Sequence, residues 1–264
     1  MHIDLTGRRA LVTGSSAGIG LAVVASLARC GATVLVNGRD ADRVRTAVRT
    51  LAAAQPDARL EPVVADVADP AGARALTEAV GEADILVSNA ATYQARAFAD
   101  LTDDDWATMF AVNVIAPARL ARLLVPGMVD RGWGRVVFIS SESALHVPAE
   151  MIHYGASKTA LLALSRGIAE TYPASGVTVN AVLPGPTSTG AEETFIADLA
   201  AQRGTTPEEA RRRFIQEDRP TSLLGRFIEP EEVAAAVTYL CSRAASATTG
   251  SAMRVDGGVV RAIG

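Results

Sequence analysis

Apolar stretches of strand length alternate with helical stretches along most of this chain, and this alternation constrains the fold more than any other feature. The apolar runs occupy residues 9–13, 33–37, 60–65, 83–87, 136–139, 177–184 and 251–256. Helical segments of about ten residues or more separate most of them. Parallel strands require such long crossovers, so the pattern predicts an α/β fold with about seven strands and helices on both faces of the sheet.

The first strand leads directly into a glycine-rich loop. Residues 14–20 read Gly-Ser-Ser-Ala-Gly-Ile-Gly, and a helical segment follows as far as Arg29. Glycines let the backbone approach a pyrophosphate, and a helix N-terminus offers unpaired N–H groups to it. A tight turn also favours glycine, so the loop alone is not specific. The strand before it and the helix after it predict a Rossmann-type dinucleotide site.

The end of the second strand distinguishes between two dinucleotides. Asn37 is followed by Gly38 and Arg39, and the first carboxylate is that of Asp40. An acidic residue at this point binds the ribose 2′-hydroxyl of NAD, whereas a basic residue accommodates the 2′-phosphate of NADP. We therefore expect NADP to be preferred over NAD. The alternative is that Arg39 is a solvated surface side chain.

A serine, a tyrosine and a lysine are the strongest candidates for catalysis. The strand at residues 136–139 ends at Ser140 and Ser141, while Tyr154 and Lys158 lie four residues apart near the start of an alanine-rich helix. Because residues at this spacing share a helix face, the Lys158 ammonium is expected to lower the Tyr154 pKa towards neutrality. Tyr154 could then act as an acid or a base, with Ser141 bonded to the same substrate oxygen. Taken alone, a pair at this spacing also occurs by chance on many helices.

Asn113 lies in an otherwise apolar helix that is predicted to run from about residue 102 to residue 125. An amide in such a place is either satisfied by a local hydrogen bond or placed for function. The sequence leaves both interpretations open.

Taken together and in order, these motifs resemble the short-chain dehydrogenase/reductase family over essentially the whole chain. The resemblance implies that Asn113, Ser141, Tyr154 and Lys158 form the catalytic quartet. The cofactor contacts that we predict are Gly14, Ser16, Gly18, Ile19, Gly20, Arg39, Asp66, Val67, Asn89, Ala90, Tyr154, Lys158, Pro184, Gly185 and Thr187.

Two positions depart from the family pattern. Ala91 replaces a glycine in the motif that contains Asn89, a change that keeps the asparagine side chain. Ala17 stands where NADP-preferring members often carry a basic residue, which weakens the expected preference for NADP.

The resemblance implies an NAD(P)(H)-dependent oxidoreductase that interconverts a ketone and a secondary alcohol. Tyr154 would protonate the alkoxide, Lys158 would hold the nicotinamide ribose, Ser141 would steady the substrate oxygen, and Asn113 would anchor a water. Reduction of a 3-oxoacyl-type or similar keto compound is the expected reaction. The alternatives are an NAD-dependent alcohol, sugar or hydroxysteroid dehydrogenase that works oxidatively, and a non-catalytic dinucleotide-binding regulator.

Residues 190–218 break the alternation, since they hold one or two polar helices after the sixth strand. An insertion at the carboxyl end of a strand is a natural place for a substrate lid, which we predict at about residues 187–222 of a single domain spanning 1–264. The substrate pocket is expected to include Tyr93, Ser143, His146 and Met151.

Composition limits the possible partners. A net charge of −4 offers no electrostatic footprint for nucleic acid, and the longest apolar runs are only of strand length, so no membrane association is expected. The three histidines and two cysteines form no cluster, so no metal site is predicted. We expect a cytoplasmic homotetramer or homodimer, because the helices near residues 102–125 and 152–172 are apolar on more than one face.

Overall fold

The computed structural model describes residues 2–263, and a seven-stranded parallel sheet lies at its centre. The strands are β1 Arg9–Val12, β2 Thr33–Gly38, β3 Arg59–Val64, β4 Ile85–Ser88, β5 Gly134–Ile139, β6 Val177–Pro184 and β7 Ala252–Val255. Their order across the sheet is β3-β2-β1-β4-β5-β6-β7, and every neighbouring pair is parallel. The predicted doubly wound α/β fold is confirmed.

Helices connect the strands. They are α1 Gly18–Arg29, α2 Ala41–Ala54, α3 Pro70–Val80, α4 Asp103–Phe110, α5 Ala116–Asp130, α6 Ile152–Thr171, α7 Gly190–Arg203, α8 Pro207–Arg213 and α9 Pro230–Leu240. Alternate side chains of the strands point to opposite faces of the sheet. In β1, Val12 belongs to the core under α1, α2 and α9, whereas Leu11 belongs to the core under α3, α5 and α6.

The order of the strands reverses at β1, which lies between β2 and β4. In an open α/β sheet, a crevice forms at such a reversal, at the carboxyl ends of the strands. Gly14 follows β1 and Asn89 follows β4, so both residues lie at this crevice.

The helix predicted across residues 102–125 is interrupted. A π turn at Ala111–Ile115 separates α4 from α5, and Asn113 lies in the middle of this turn. Pro117 explains the break, because it has no N–H to donate to the carbonyl of Asn113 and its ring would clash with that carbonyl in a regular α-helix.

By length and composition, the stretch Asp103–Asp130 could also cross a membrane. Its apolar side chains are instead used in the core, where Leu120, Leu124 and Met128 are buried under the sheet. This stretch is therefore a core element of the fold.

Residues 190–218 fold into α7, α8 and a π turn at Phe214–Asp218. They form a small apolar cluster of their own, in which Ile196, Ala210 and Phe214 pack with Phe227. This cluster lies over the carboxyl end of β6, since Phe214 and Phe227 line the same cavity as Pro184.

Candidate active site

The glycine loop and the end of β4 are tied together at the crevice. Thr13 Oγ1 accepts hydrogen bonds from the backbone N–H groups of Asn89 and Ala90, both at 3.0 Å. The Asn89 amide donates in return to the carbonyls of Thr13 and Gly14. A Cβ at Gly14 would lie 2.8 Å from the Ala90 Cα, and one at Gly20 would lie 2.6 Å from the Asn89 amide nitrogen. Glycine is therefore required at both positions.

Helix α1 begins in a way that suits a bound pyrophosphate. Its N-cap residue, Ala17, makes no side-chain hydrogen bond, and its first turn contains no acidic residue. In contrast, Asp40 caps α2 and Asp69 caps α3. The first N–H groups of α1 are thus left for an anionic ligand, as a dinucleotide site requires.

The crevice is a cleft of about 670 Å³. The predicted cofactor residues that line it are Gly14, Ser16, Gly18, Ile19, Arg39, Asp66, Val67, Asn89 and Ala90. Gly20 lies outside this lining, and its role is the packing against Asn89 described above.

The cleft also contains a cation that the sequence analysis missed. Arg43, in the first turn of α2, lines it together with Arg39, and neither arginine forms an ion pair within the described residues. A Cβ at Gly38 would lie 2.9 Å from Val44 Cγ2, so an acidic side chain is poorly accommodated there. This end of the cleft favours a negatively charged group.

A second cavity, of about 250 Å³, adjoins the cleft through Ile19 and Asn89. Its lining includes the predicted residues Tyr93, Ser141, Ser143, Met151, Tyr154, Lys158, Pro184, Gly185 and Thr187. His146 is exposed and does not line this cavity, so its prediction as a pocket residue is wrong. The N–H groups of Leu145 and His146 both bond the carbonyl of Glu142, and this tight turn carries the chain away from the pocket.

Two hydrogen bonds fix α6 against the end of β5. Lys158 Nζ donates to the carbonyl of Ile139 at 2.9 Å, and Ser140 Oγ donates to the carbonyl of Lys158 at 2.9 Å. The Lys158 amine lies 5.6 Å from the centroid of the Tyr154 ring. Burial lowers the pKa of Lys158 to about 8.

The pKa of Tyr154 departs from the prediction. We expected Lys158 to lower it, but burial raises the pKa of Tyr154, and the negative charge of Glu142 raises it further. A hydrogen bond with Ser141 opposes these effects without reversing them. The physical reason is that the phenol is enclosed in the cavity and lies near a carboxylate, both of which disfavour the phenolate.

Asn113 does not line either cavity, and its side chain is fully engaged. Its amide nitrogen donates to the carbonyl of Thr92 and to Ser157 Oγ, and its Oδ1 accepts from the N–H of Thr92 at 2.9 Å. Ser157 is in turn bonded to the carbonyl of Tyr154. The side chain of Asn113 therefore links the loop after β4 to the helix that carries Tyr154.

Three charged residues in the second cavity, which contains Ser141, Tyr154 and Lys158, were missed by the sequence analysis: Glu142, Glu192 and Arg219. Glu142 could have been noticed, because a carboxylate directly after the predicted catalytic serine is unusual at the end of a buried strand. The other two come from residues 190–219, where the sequence shows polar helices but not which side chains turn inward.

Comparisons with known proteins agree with this arrangement. A family model described as enoyl-(acyl carrier protein) reductase matches residues 14–260. The uncharacterized oxidoreductase YvaG of Bacillus subtilis is 42% identical over 263 residues and covers all of both chains. D-beta-hydroxybutyrate dehydrogenase of Cupriavidus necator is 33% identical and covers 97% of this chain and 99% of its own. The structure of L-sorbose reductase from Gluconobacter frateurii, complexed with NADPH and L-sorbose, superposes with a TM-score of 0.94 at 33% identity over all of both chains.

The chain belongs to the short-chain dehydrogenase/reductase family. It is an NAD(P)-dependent oxidoreductase that acts on carbonyl or alcohol groups. The resemblance inferred from the motifs is confirmed.

Lys158 is the only lysine in the 264 residues, so its amine can be titrated without interference from other side-chain amines. With nitrogen-labelled lysine, we expect a single amine signal with a midpoint of about 8, because burial lowers its pKa from the ordinary 10.5. Between these two values, the unfolded chain binds a proton that the folded chain does not. Stability contributed by Lys158 therefore rises with pH through this window.

Lys158→Met should accordingly unfold with a higher free energy than wild type at about pH 7, by about 1–3 kcal/mol, and the gain should shrink near pH 10. An amine midpoint close to 10.5 would contradict this account of the site.

Proposed function

We propose that the protein reduces a ketone to a secondary alcohol with NADPH as the source of hydride. The observation that carries this proposal is the pair of arginines, Arg39 and Arg43, that line the cofactor cleft without an ion-pair partner among the described residues and so favour the 2′-phosphate of NADPH. Because burial and Glu142 raise the pKa of Tyr154, the phenol keeps its proton at neutral pH and is ready to act as a general acid.

Three residues act directly at the reacting oxygen. Tyr154 gives its proton to the substrate oxygen as the carbonyl carbon is reduced, and the Lys158 ammonium lies close enough to stabilise the resulting phenolate. Ser141 lies beside Tyr154 and positions the oxygen that receives the proton. The hydride is the one contribution that comes from bound NADPH.

Asn113 is proposed to act through its backbone rather than its side chain. Its side chain is occupied by Thr92 and Ser157, so the water implied by the family resemblance would be held by its backbone carbonyl. Pro117 supports this assignment, because it cannot donate the helical N–H that would otherwise occupy that carbonyl.

The proposed substrate is a 3-oxoacyl-type or similar keto compound. The lining of the cavity includes several large apolar side chains, namely Met151, Phe195, Phe214 and Phe227. These side chains suit an acyl chain.

A second candidate is a hydroxylated ketone of the sugar type, and one observation favours it. Glu192 Oε2 is buried at the cavity and has no hydrogen-bond partner among residues 2–263, whereas Oε1 is paired with Arg211. A buried acceptor of this kind calls for a donor such as a substrate hydroxyl.

Three further features remain predictions. Residues 187–222 would act as a lid, since Glu192, Phe214 and Arg219 from this segment reach the cavity. The dimer or tetramer would be built through the helices near residues 102–125 and 152–172, and in the first of these segments Ile115 and Leu123 expose apolar side chains. The cytoplasmic location has no structural test.

Tyr154→Phe is expected to lower kcat for ketone reduction by at least about a hundredfold, because the general acid is lost while the ring still packs against Tyr93. NADPH affinity should stay within a few-fold of wild type. Tyr172→Phe, at the far end of α6, serves as the matched control and should be fully active. If Tyr154→Phe keeps activity within roughly tenfold of wild type, the assignment of the acid is wrong.

Arg39→Ala is expected to lower the ratio of kcat/KM for NADPH over NADH by about ten- to a hundredfold, because a charge-assisted bond to the 2′-phosphate is lost. Arg43→Ala should act in the same direction. Arg45→Ala, which removes an exposed arginine paired with Asp42 on the same helix, is the control and should leave the ratio unchanged. A wild-type ratio below one would contradict the NADPH assignment.

Substrate class can be decided with a 3-oxobutanoate ester and a ketohexose, each assayed with wild type and with Glu192→Gln. For the proposed acyl class, the ester should have the higher kcat/KM, and the variant should leave it nearly unchanged. For the second candidate, the ketohexose should be preferred, and Glu192→Gln should lower its kcat/KM by about tenfold through loss of the charged acceptor.

A further inference from the structure

Arg219 brings a guanidinium from the proposed lid into the cavity that contains Tyr154. Its side chain is only 7% exposed. Nε lies 3.3 Å from Glu142 Oε1, Nη1 donates to the carbonyl of Asp218 at 2.8 Å, and the guanidinium lies 5.1 Å from the centroid of the Phe214 ring. The orientation of Arg219 is therefore fixed by the protein itself.

One nitrogen of this guanidinium lacks a hydrogen-bond partner. Within residues 2–263, Nε and Nη1 of Arg219 make the hydrogen bonds described above, whereas Nη2 makes none. Nη2 is also not among the partnerless side-chain atoms that the surrounding protein encloses. Since Arg219 lines the cavity, the N–H groups of Nη2 are left to donate to a molecule bound there.

The neighbouring carboxylates indicate which kind of acceptor suits Nη2. Glu142 pairs with Arg219, and Glu150 Oε1 lies 3.9 Å from Nη1. Glu192, which also lines the cavity, pairs with Arg211 instead. Glu142 already balances the charge of Arg219, so a further negative charge beside it would be repelled by Glu142 and Glu150. An uncharged carbonyl oxygen accepts from Nη2 without that repulsion.

Arg219 also lies near the place where the ketone is proposed to react. Its partner Glu142 directly follows Ser141, and Ser141 forms a hydrogen bond with Tyr154. An acceptor bonded to Nη2 would therefore belong to the same substrate molecule, a few bonds from the ketone. A 3-oxoacyl compound has such an acceptor, because a single methylene separates its acyl carbonyl from its ketone.

We propose that Arg219 determines substrate specificity by donating from Nη2 to an uncharged acyl carbonyl oxygen, while the ketone of the same substrate lies at Ser141 and Tyr154. The substrate class that fits is a 3-oxoacyl ester or thioester. The large apolar side chains of the cavity remain available for the acyl chain. This inference rests on the proposed function, because it takes the ketone oxygen to lie at Tyr154.

Two ketones of equal chain length test the proposal: ethyl 3-oxobutanoate, and 2-heptanone, in which methylenes replace the ester group. Arg219→Met is expected to lower kcat/KM for the ester by about ten- to a hundredfold relative to 2-heptanone, because a charge-assisted hydrogen bond is lost. Comparing each ketone between variant and wild type removes the difference in their intrinsic reactivity. The loss should appear mainly in KM, because the acyl carbonyl is bound alike before and during hydride transfer.

Arg212→Met is the matched control. Arg212 lies in the same proposed lid, but it is exposed, pairs with Glu209 and does not line the cavity. Its ratio of kcat/KM for the ester over 2-heptanone should equal that of wild type. If Arg219→Met also keeps the wild-type ratio, Arg219 does not bind the substrate and the proposal is overturned.

Arg219→Met leaves Glu142 buried without its partner, which could prevent folding. The double variant Glu142→Gln/Arg219→Met contains neither charge and decides the question in that case. Its activity towards both ketones is expected to fall, because Glu142 is next to Ser141, but the ester should lose about ten- to a hundredfold more than 2-heptanone. Equal losses for the two ketones would overturn the proposal.

The free acid, 3-oxobutanoate, distinguishes an uncharged acceptor from a carboxylate. In wild type, its kcat/KM should be lower than that of the ester, because Glu142 and Glu150 repel the negative charge. A preference for the acid that disappears in Arg219→Met would mean that Arg219 binds a carboxylate, and the assignment to an ester or thioester would be overturned.

Tyr154→Phe, assayed in parallel, separates this inference from the proposed function. If wild type reduces both ketones, Tyr154→Phe reduces neither and Arg219→Met leaves the ratio unchanged, only the inference about Arg219 fails. If wild type reduces neither ketone with NADPH, or if Tyr154→Phe stays active, the proposed function itself fails, and this inference fails with it.

Discussion

The attachment of α6 to the end of β5 is the constraint on which the reactive site depends. Lys158 donates from its amine to the carbonyl of Ile139, and Ser140 donates from its hydroxyl to the carbonyl of Lys158. These bonds set the height and rotation of the helix against the sheet. Because Ser141 follows directly on the strand and Tyr154 is one turn before Lys158, the same two bonds bring serine and tyrosine to one cavity. Asn113 adds a third anchor through Ser157.

Features that depend on nearby residues could be predicted from the sequence. Strand positions follow from short apolar runs whose side chains face two cores, and the cofactor loop follows from glycines that must let Ala90 and Asn89 approach. The pairing of Tyr154 with Lys158 follows from helical spacing. In each case, the physical cause lies within a few residues of the sequence motif, or in the α/β fold that the alternation of strands and helices already implies.

Features that depend on distant residues could not be predicted. Arg219 meets Glu142 across 77 positions, and nothing in the polar segment that contains it marks it as the side chain that turns inward. The predicted direction of the shift in the Tyr154 pKa was wrong for the same reason. Helical spacing reveals the neighbouring Lys158, but it does not reveal that the phenol is buried or that the carboxylate of Glu142 lies close to it. The π turn was missed because Pro117, which causes it, was not weighed against an otherwise regular apolar pattern.

Arginine and lysine have different roles in this chain. The chain has 25 lysine and arginine residues, and Lys158 is the only lysine among them. Arginine stays charged when buried and can bind a carboxylate through two nitrogens, as Arg9 does with Glu61. It therefore suits buried ion pairs such as that of Arg219 with Glu142. An amine responds to burial by losing its proton more easily, and burial lowers the pKa of Lys158 to about 8. A side chain that loses its proton near neutral pH is a poor partner in a structural ion pair. The same property is useful beside a tyrosine that must regain its proton after each reaction. The one position where lysine occurs is therefore the position where a cation with an adjustable charge is required.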